Sequence, residues 1–455
     1  MLIKYFVKFQ KRVALIDAKT NEQSTYKQLI KRIKYYDQFI DDNSVIMIIV
    51  SNNINTIEFY LACLNSKKKC ITMVLDETFN KNYIETIIKK YKPNLIFNPT
   101  KILIGKFLNK RTVVNDQFIS KTNFKNNKFN SINKLLLTTS GTTGSSKFVR
   151  FSKNNLVSNS RSIIKSLKIK KNHIVMTTMP MGYSYGLSIL NTHLMSGAKI
   201  IINRESILNK NFWIYLKKYK VNSLNGVPSF YNYLKKLDFK KFNLKKLLYL
   251  TQAGGNLDIE VKNYLYKFVK KLKIKLFFMY GQTEASPRIS CFDVTKYPKK
   301  IGSVGRAIDG VSVGKINKKK NISELYVKGK NVCLGYAENI FDLKKGDVNK
   351  KFLKTGDVGY LDKERFIFIK GRIKRFSKLY GFRINLDEIE IYLKKMSIFC
   401  KCLSDDNKIF IKYLDSKNVK NIKKILFSKF NINSNSLELI KVKKLDQKIT
   451  LKNQF

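Results

Sequence analysis

LLLTTSGTTGSSKFV, residues 135–149, is an apolar strand that runs into a loop of hydroxyls and glycines and closes on a lysine. Gly141 and Gly144 let the backbone turn sharply and bring N–H groups close to an anion. Thr139, Ser140, Thr142 and Thr143 add neutral donors, and Lys147 adds a point charge. The pattern predicts a phosphate cradle. It is not a Walker A loop, because Gly144 is followed by Ser-Ser-Lys rather than Lys-Ser/Thr. A solvated Ser/Thr loop is the plain alternative, since loops of this composition are common.

Upstream of the loop, short β-branched runs alternate with amphipathic stretches: strands at Val45–Val50, Ile71–Leu75 and Asn94–Asn98, helices at Thr56–Leu64 and Tyr83–Lys90. Downstream the rhythm recurs, with strands at Leu135–Thr139, Ile174–Thr178, Lys199–Ile202, Leu247–Thr251 and Leu276–Met279. Such alternation predicts an α/β fold with mostly parallel, covered sheets. After Gly302 the texture changes to short strands and turns, a small β-rich subdomain. Residues 374–455 are Lys-rich, with a strand near Lys408–Tyr413 and helices near Leu386–Lys395 and Val419–Phe430. The expected division is a large domain, 1–372, and a small α+β domain, 373–455.

Composition narrows the function. Apolar residues are 44% and charged residues 27% of the 455, ordinary for a globular protein. The formal charge of +57 would suit a polyanion or an anionic membrane surface. Lysine is spread along the whole chain beside abundant Asn and Ile, and Arg is scarce, so compositional bias accounts for the charge better. No specific nucleic-acid partner is expected. The six cysteines form no CxxC, and the two histidines, His173 and His193, have no matching ligand or Ser-Asp set. A His-dependent hydrolase or a His-ligated zinc site is disfavoured. The start, MLIKYFVKFQKRVALID, lacks an apolar signal core, and the longest apolar stretch, Val45 to Val50, is far short of the roughly 20 residues a membrane helix needs. A cytoplasmic protein without a membrane span is expected.

Further motifs come after the loop in order: Ala253-Gly254-Gly255, then Tyr280-Gly281-Gln282-Thr283-Glu284, Thr355-Gly356-Asp357, Gly371-Arg372, and Lys374, Lys378, Gly381, Arg383 and Asp387-Glu388-Ile389-Glu390. Taken singly, each is an ordinary turn, and an Asp in a turn usually caps backbone N–H groups. Together they resemble the adenylate-forming superfamily of acyl-CoA synthetases, nonribosomal adenylation domains and luciferases. Ala14–Asp17, Thr25–Leu29 and Glu58–Leu64 extend the likeness upstream. The loop departs from the family at Ser146, where proline is usual, and at Phe148, where glycine is usual.

The resemblance implies a large domain of two α/β sheet subdomains and a β-rich subdomain, capped by a mobile C-terminal domain. It implies ATP and Mg²⁺ as cofactors. Tyr280 would pack on adenine beside Gly254 and Gly255, with Gly281 and Gln282 in the same turn. Thr283 would meet the α-phosphate, Glu284 would hold Mg²⁺ through hard oxygen, Asp357 would take the ribose hydroxyls, and Arg372 would contact ribose or phosphate. Lys374 occupies the hinge position, and Lys378 to Gly381 the face that meets a thiol acceptor, coenzyme A or the 4'-phosphopantetheine of a carrier protein.

The family's catalytic lysine near the carboxy terminus is best matched by Lys448, although Gln447 stands where glycine is usual and the preceding proline is absent. An ordinary solvated lysine is the plain alternative. The acid pocket would lie near Met179–Gly186 and Asn225–Pro228, with Tyr183, Tyr185, Gly226 and Val227 as its residues; the aromatics, with Phe230, equally suit core packing. No acidic residue occurs from Met179 to Leu190, which disfavours an α-amino acid whose ammonium would be left unpaired. Arg288 suits either a second carboxylate on the acid or a structural ion pair. The expected activity is an AMP-forming acid–thiol ligase. An amino-acid:carrier-protein ligase and a non-catalytic nucleotide or polyanion binder are the alternatives.

Overall fold

A computed structural model describes residues 2–79, 81–98, 107–114, 117–125, 128–138, 147–237, 244, 246–379, 382–404, 408–414, 421–430, 432–442 and 445. The chain forms two compact units, Met1–Val313 with Val327–Leu353, and Gly314–Tyr326 with Lys354–Gln454. Residues 354–372 therefore group with the C-terminal segment rather than with the large domain. Strand Phe352–Leu361 pairs antiparallel with Ile367–Arg372, and the Asn385 side chain donates to the Lys370 carbonyl at 3.0 Å, tying this sheet to the start of helix Leu386–Lys395.

Two sheets build the first unit. Strands Ser44–Val50 and Cys70–Asp76 are buried at every residue and pair in parallel, as their unbroken apolar runs require. Leu95–Asn98 and Leu135–Thr138 flank them in parallel, and antiparallel strands close both sides, Phe148–Phe151 with Gly335–Ala337 on one and Gln117–Thr122 with Leu108–Val114 on the other. In the second sheet Val13–Asp17, Lys199–Ile202, Ile174–Met176, Ser223–Gly226, Tyr249–Gln252 and Lys275–Tyr280 run parallel, and Ser290–Asp293 and Arg306–Ala307 finish one edge antiparallel. The sheets thus exchange strands relative to chain order: Val13–Asp17 crosses into the downstream sheet, while Leu135–Thr138 joins the upstream one.

Local chemistry sets the helices. Asn53 caps Ile54–Asn65, and reciprocal side-chain and backbone bonds of Thr25 with Gln28 and of Ser152 with Asn155 start Tyr26–Asp37 and Lys153–Leu167. The second unit packs helices Leu386–Lys395 and Ile422–Phe430 on a three-stranded sheet, Cys400–Ser404, Ile409–Tyr413 and Leu437–Lys441, around Ile389, Leu393, Ile409, Ile411 and Leu426. Arg375, in the turn Ile373–Arg375, binds the Asp387 and Glu390 carboxylates and the Cys402 carbonyl, so the residue after Lys374 is clamped to this core. No helix among the described residues is long and apolar enough to cross a membrane. All six cysteines are free.

Arg150 is the largest fully buried side chain, and it is saturated. Its guanidinium donates to the carbonyls of Leu334, Tyr336, Lys345 and Gly346 and to Asn133 Oδ1, at 2.5–3.2 Å. It thereby fixes strand Gly335–Ala337 on Phe148–Phe151. Arg150→Met strands these acceptors and should lower unfolding free energy by at least about 3 kcal/mol in a denaturant titration.

Glu58, 3% exposed, meets Arg32 Nε at 3.2 Å. Burial lifts its carboxyl from 4.5 to about 7, with Arg32 opposing. The folded state then holds a proton that the unfolded chain has released, so this contribution is full below pH 4.5 and is lost as pH rises through about 7. Glu58→Gln should flatten a decline on the order of 3 kcal/mol across that window, measured by unfolding at successive pH values.

Candidate active site

The site elements of the first unit lie at the carboxyl ends of adjacent parallel strands, the usual crevice of an open α/β sheet. Register aligns Gly226 with Gln252, and Gln252 with Phe278, so the turns at Val227, Ala253-Gly254-Gly255 and Tyr280-Gly281 are neighbours. Gly254 has φ +83°, and a Cβ on Gly281 would fall 1.7 Å from the Pro287 carbonyl oxygen. Both turns therefore need glycine. The Gln252 side chain donates to the Gly255 carbonyl at 2.9 Å and braces the loop.

After Gly281 and Gln282 the chain makes a 3-10 turn, Thr283–Ala285. Two asparagines hold this turn and the residues just beyond it. Asn331 Nδ2 donates to the carbonyls of Ala285 and Arg288, both at 3.1 Å, while Asn159 Nδ2 donates to the Arg288 carbonyl at 2.8 Å and its Oδ1 accepts the Arg288 N–H. One helical turn before Asn159, Asn155 donates to the carbonyls of Lys330 and Val332 and so anchors Asn331 itself. The Cys333 N–H donates to the Glu284 carbonyl at 2.9 Å.

Held this way, Thr283 places its hydroxyl 3.1 Å from Ser184 Oγ, at the start of helix Ser184–Met195. Glu284 is half-buried, and its Oε1 accepts from Tyr336 Oη at 2.7 Å. Burial first, then the Glu284 charge, pushes the Tyr336 phenol well above its usual range, so it remains a donor. Lys147 Nζ lies 4.0 Å over the Tyr336 ring and 3.3 Å from Glu338 Oε1. Lys147 and Glu284 thus flank one ring. Tyr336 and Glu338 carry no motif of their own; Tyr336 reaches the site because strand Gly335–Ala337 pairs with Phe148–Phe151.

Tyr185 and Tyr183 sit beside the same strand ends. Tyr185 Oη is 2.9 Å from Thr251 Oγ1, whose own proton goes to Asn225 Oδ1 at 2.7 Å, so the phenol is the donor. Tyr183 Oη is buried without a partner among the described residues. A Cβ on Gly226 would collide with the rings of Phe230 and Tyr231. Although residues 179–190 hold no acid, Asp76 arrives from another strand: a Cβ on Gly182 would be 2.8 Å from its Oδ2. Burial raises the Asp76 carboxyl, against bonds from Thr78. His193 is buried, with Nδ1 at the Ile189 carbonyl and its pKa lowered to about 4 by desolvation, a structural role.

In the second unit Asp357 and Arg372 are cross-strand partners, with Arg372 Nε donating to Asp357 Oδ1 at 2.6 Å. Gly356, at φ +70°, donates its N–H to Glu324. Lys374 is in the turn Ile373–Arg375 and Lys378 in the hairpin strand Phe376–Leu379. Thr139, Ser140, Gly141, Thr142, Thr143, Gly144, Gly381 and Lys448 lie outside the described residues.

A family model described as AMP-binding enzyme matches residues 4–337. A probable 4-coumarate–CoA ligase 2 of Dictyostelium discoideum is 32% identical over 265 residues, 56% of this chain and 47% of that protein. The peroxisomal OPC-8:0-CoA ligase 1 of Arabidopsis thaliana is 24% identical over 422 residues, 84% and 76% of the two chains. Among solved structures, o-succinylbenzoate CoA synthetase of Bacillus subtilis with its acyl-adenylate intermediate is similar in fold, with a TM-score of 0.77 at 16% identity over 100% of this chain and 97% of that one. The chain spans about half the length of the curated relatives that it first matches.

Proposed function

Since this chain belongs to the AMP-binding enzyme family, we propose that it is an AMP-forming acid–thiol ligase. A carboxylate oxygen attacks the α-phosphorus of ATP and pyrophosphate leaves; a thiol then attacks the acyl carbon and AMP leaves. The observation that carries this reading is the joint presentation of Tyr280, Thr283, Glu284 and Lys147 beside the glycine turns at three neighbouring strand ends. In this reading Tyr280, Gly254 and Gly255 receive adenine, the loop from Thr139 to Gly144 cradles phosphate with Lys147, and Asp357 and Arg372 take the ribose. Tyr183, Tyr185, Gly226 and Val227 frame the acid.

Glu284 fits Mg²⁺. It is a hard, half-buried carboxylate with one oxygen fixed by Tyr336, and Mg²⁺ is usually held by one or two carboxylates plus phosphate oxygens. When bound there, Mg²⁺ would neutralise phosphate charge during displacement. Thr283 donates toward the α-phosphate, and Lys147 leaves the exposed Glu338 for it at little cost. Lys448 is proposed to act in adenylation and the Lys378 strand in thiol transfer, with Lys374 as the swivel between them and coenzyme A or a carrier phosphopantetheine as acceptor.

An amino-acid:carrier-protein ligase is the second reading, favoured by Asp76 against the 179–186 turn. Arg288 opposes it, because a buried guanidinium beside Tyr185, another residue of the proposed acid site, repels an ammonium.

ATP–pyrophosphate exchange screened against carboxylic and amino acids, followed by thioester formation with coenzyme A, tests the assignment; exchange with no acid at all would sink it. Tyr336→Phe should raise the Mg²⁺ needed for half-maximal exchange roughly 10-fold while leaving the fold intact. Lys448→Ala should slow acyl-AMP formation about 100-fold and spare thiol transfer from preformed acyl-AMP. Equal losses in the two half-reactions would remove Lys448 from that role.

A further inference from the structure

Arg288 is 3% exposed, and its Nε has no hydrogen-bond partner among the described residues. No carboxylate among the described residues pairs with it. The ring of Tyr185 lies 5.0 Å from the guanidinium carbon. The Tyr185 phenol and the Cys291 thiol are both pushed up to about 12 by burial, so neither supplies a negative charge at neutral pH. A ring face offsets only part of the hydration a buried cation loses.

Arg150 shows how this protein treats a buried arginine that is merely structural: five protein acceptors converge on it. Arg288 has the burial without the acceptors. The hydrogen-bonded string from the Tyr185 phenol through Thr251 to Asn225 ends on Asn225 Nδ2, another buried donor with no acceptor among the described residues. A donor-rich, acceptor-poor cluster is built for an anion.

Its position says which anion. Arg288 is four residues beyond Glu284, and its backbone is held by the asparagine clamp. A Cβ on Gly281 would lie 3.1 Å from the Arg288 Cα, so the guanidinium is within a side-chain length of the proposed adenylate turn. We propose that Arg288 is a specificity residue that binds a second carboxylate on the acid, and that the substrate is a dicarboxylic acid. One carboxylate is activated while the other forms a charge-assisted pair with the guanidinium. The assignment rests on the acid-activating reading and names its substrate class.

The test compares aliphatic diacids of three to six carbons and the benzene dicarboxylic acids with their monomethyl esters, by pyrophosphate exchange and by melting temperature. In the wild type at least one diacid should exceed its monoester by about 10–100-fold in kcat/KM. Arg288→Met should erase that advantage and keep monoester turnover, and Arg288→Lys should retain part of it. Without ligand, Arg288→Met should melt at or above the wild-type temperature, whereas Arg150→Met melts below it. Monoesters matching diacids in the wild type, or a destabilised Arg288→Met, would overturn the inference. Exchange driven by monoacids but by no diacid defeats this inference and leaves the ligase reading standing. Melting raised by a diacid in the wild type but not in Arg288→Met, with no exchange for any acid, defeats the ligase reading and upholds only Arg288 as the residue that binds the diacid.

Discussion

The turn that carries Thr283, Glu284 and Arg288 depends on a closed loop of amide hydrogen bonds. Asn155 and Asn159 project from one helix, Asn331 from the loop that Asn155 grips, and Asn159 and Asn331 together hold the backbone from Ala285 to Arg288. Neutral amides suit this duty, because each presents a donor and an acceptor and brings no charge into a region where charge must be reserved for ligand. The turn they fix and the residues just beyond it carry the Thr283 hydroxyl, the Glu284 carboxylate and the Arg288 guanidinium, and the strands supply the platform.

Much of this was legible in the sequence. The strand at Val45–Val50 follows from an unbroken apolar run and the helix at Leu386–Lys395 from apolar periodicity, and the YGQTE and AGG turns fall at strand ends. The illegible part depends on long-range pairing. Nothing near Lys147 in the chain announces Tyr336 or Glu338, which meet it through an antiparallel partner almost two hundred residues away. Asp76 reaches the 182–183 turn from the other sheet in the same way. The exchange of Val13–Asp17 and Leu135–Thr138 between sheets is invisible to local pattern for the same reason: period and composition specify a strand, not its neighbours. The grouping of residues 354–372 with the C-terminal segment is likewise fixed by strand pairing and one Asn385 bond rather than by texture.

The two buried arginines define opposite uses of one side chain. Around Arg150 the backbone supplies nearly every acceptor, and the charge is neutralised by geometry alone. Around Arg288 the backbone turns its carbonyls to the asparagines, leaving the guanidinium against an aromatic face. A chain with 89 basic and 32 acidic residues has few carboxylates to spare for its interior, so a cation left without one there stands out against the background rather than being explained by it.

The glycines at 186, 226 and 281 have a practical corollary. Each is pressed against atoms that leave no space for even a methyl group: the Pro180 carbonyl, the Phe230 and Tyr231 rings, and the Pro287 carbonyl. The backbone contour of the proposed acid site is therefore frozen, and any lineage or engineer seeking a different acid must work through interchangeable ornaments such as Tyr183, Tyr185 and Arg288. Breadth of chemistry, in such a frame, is a matter of side-chain exchange on an unaltered mould.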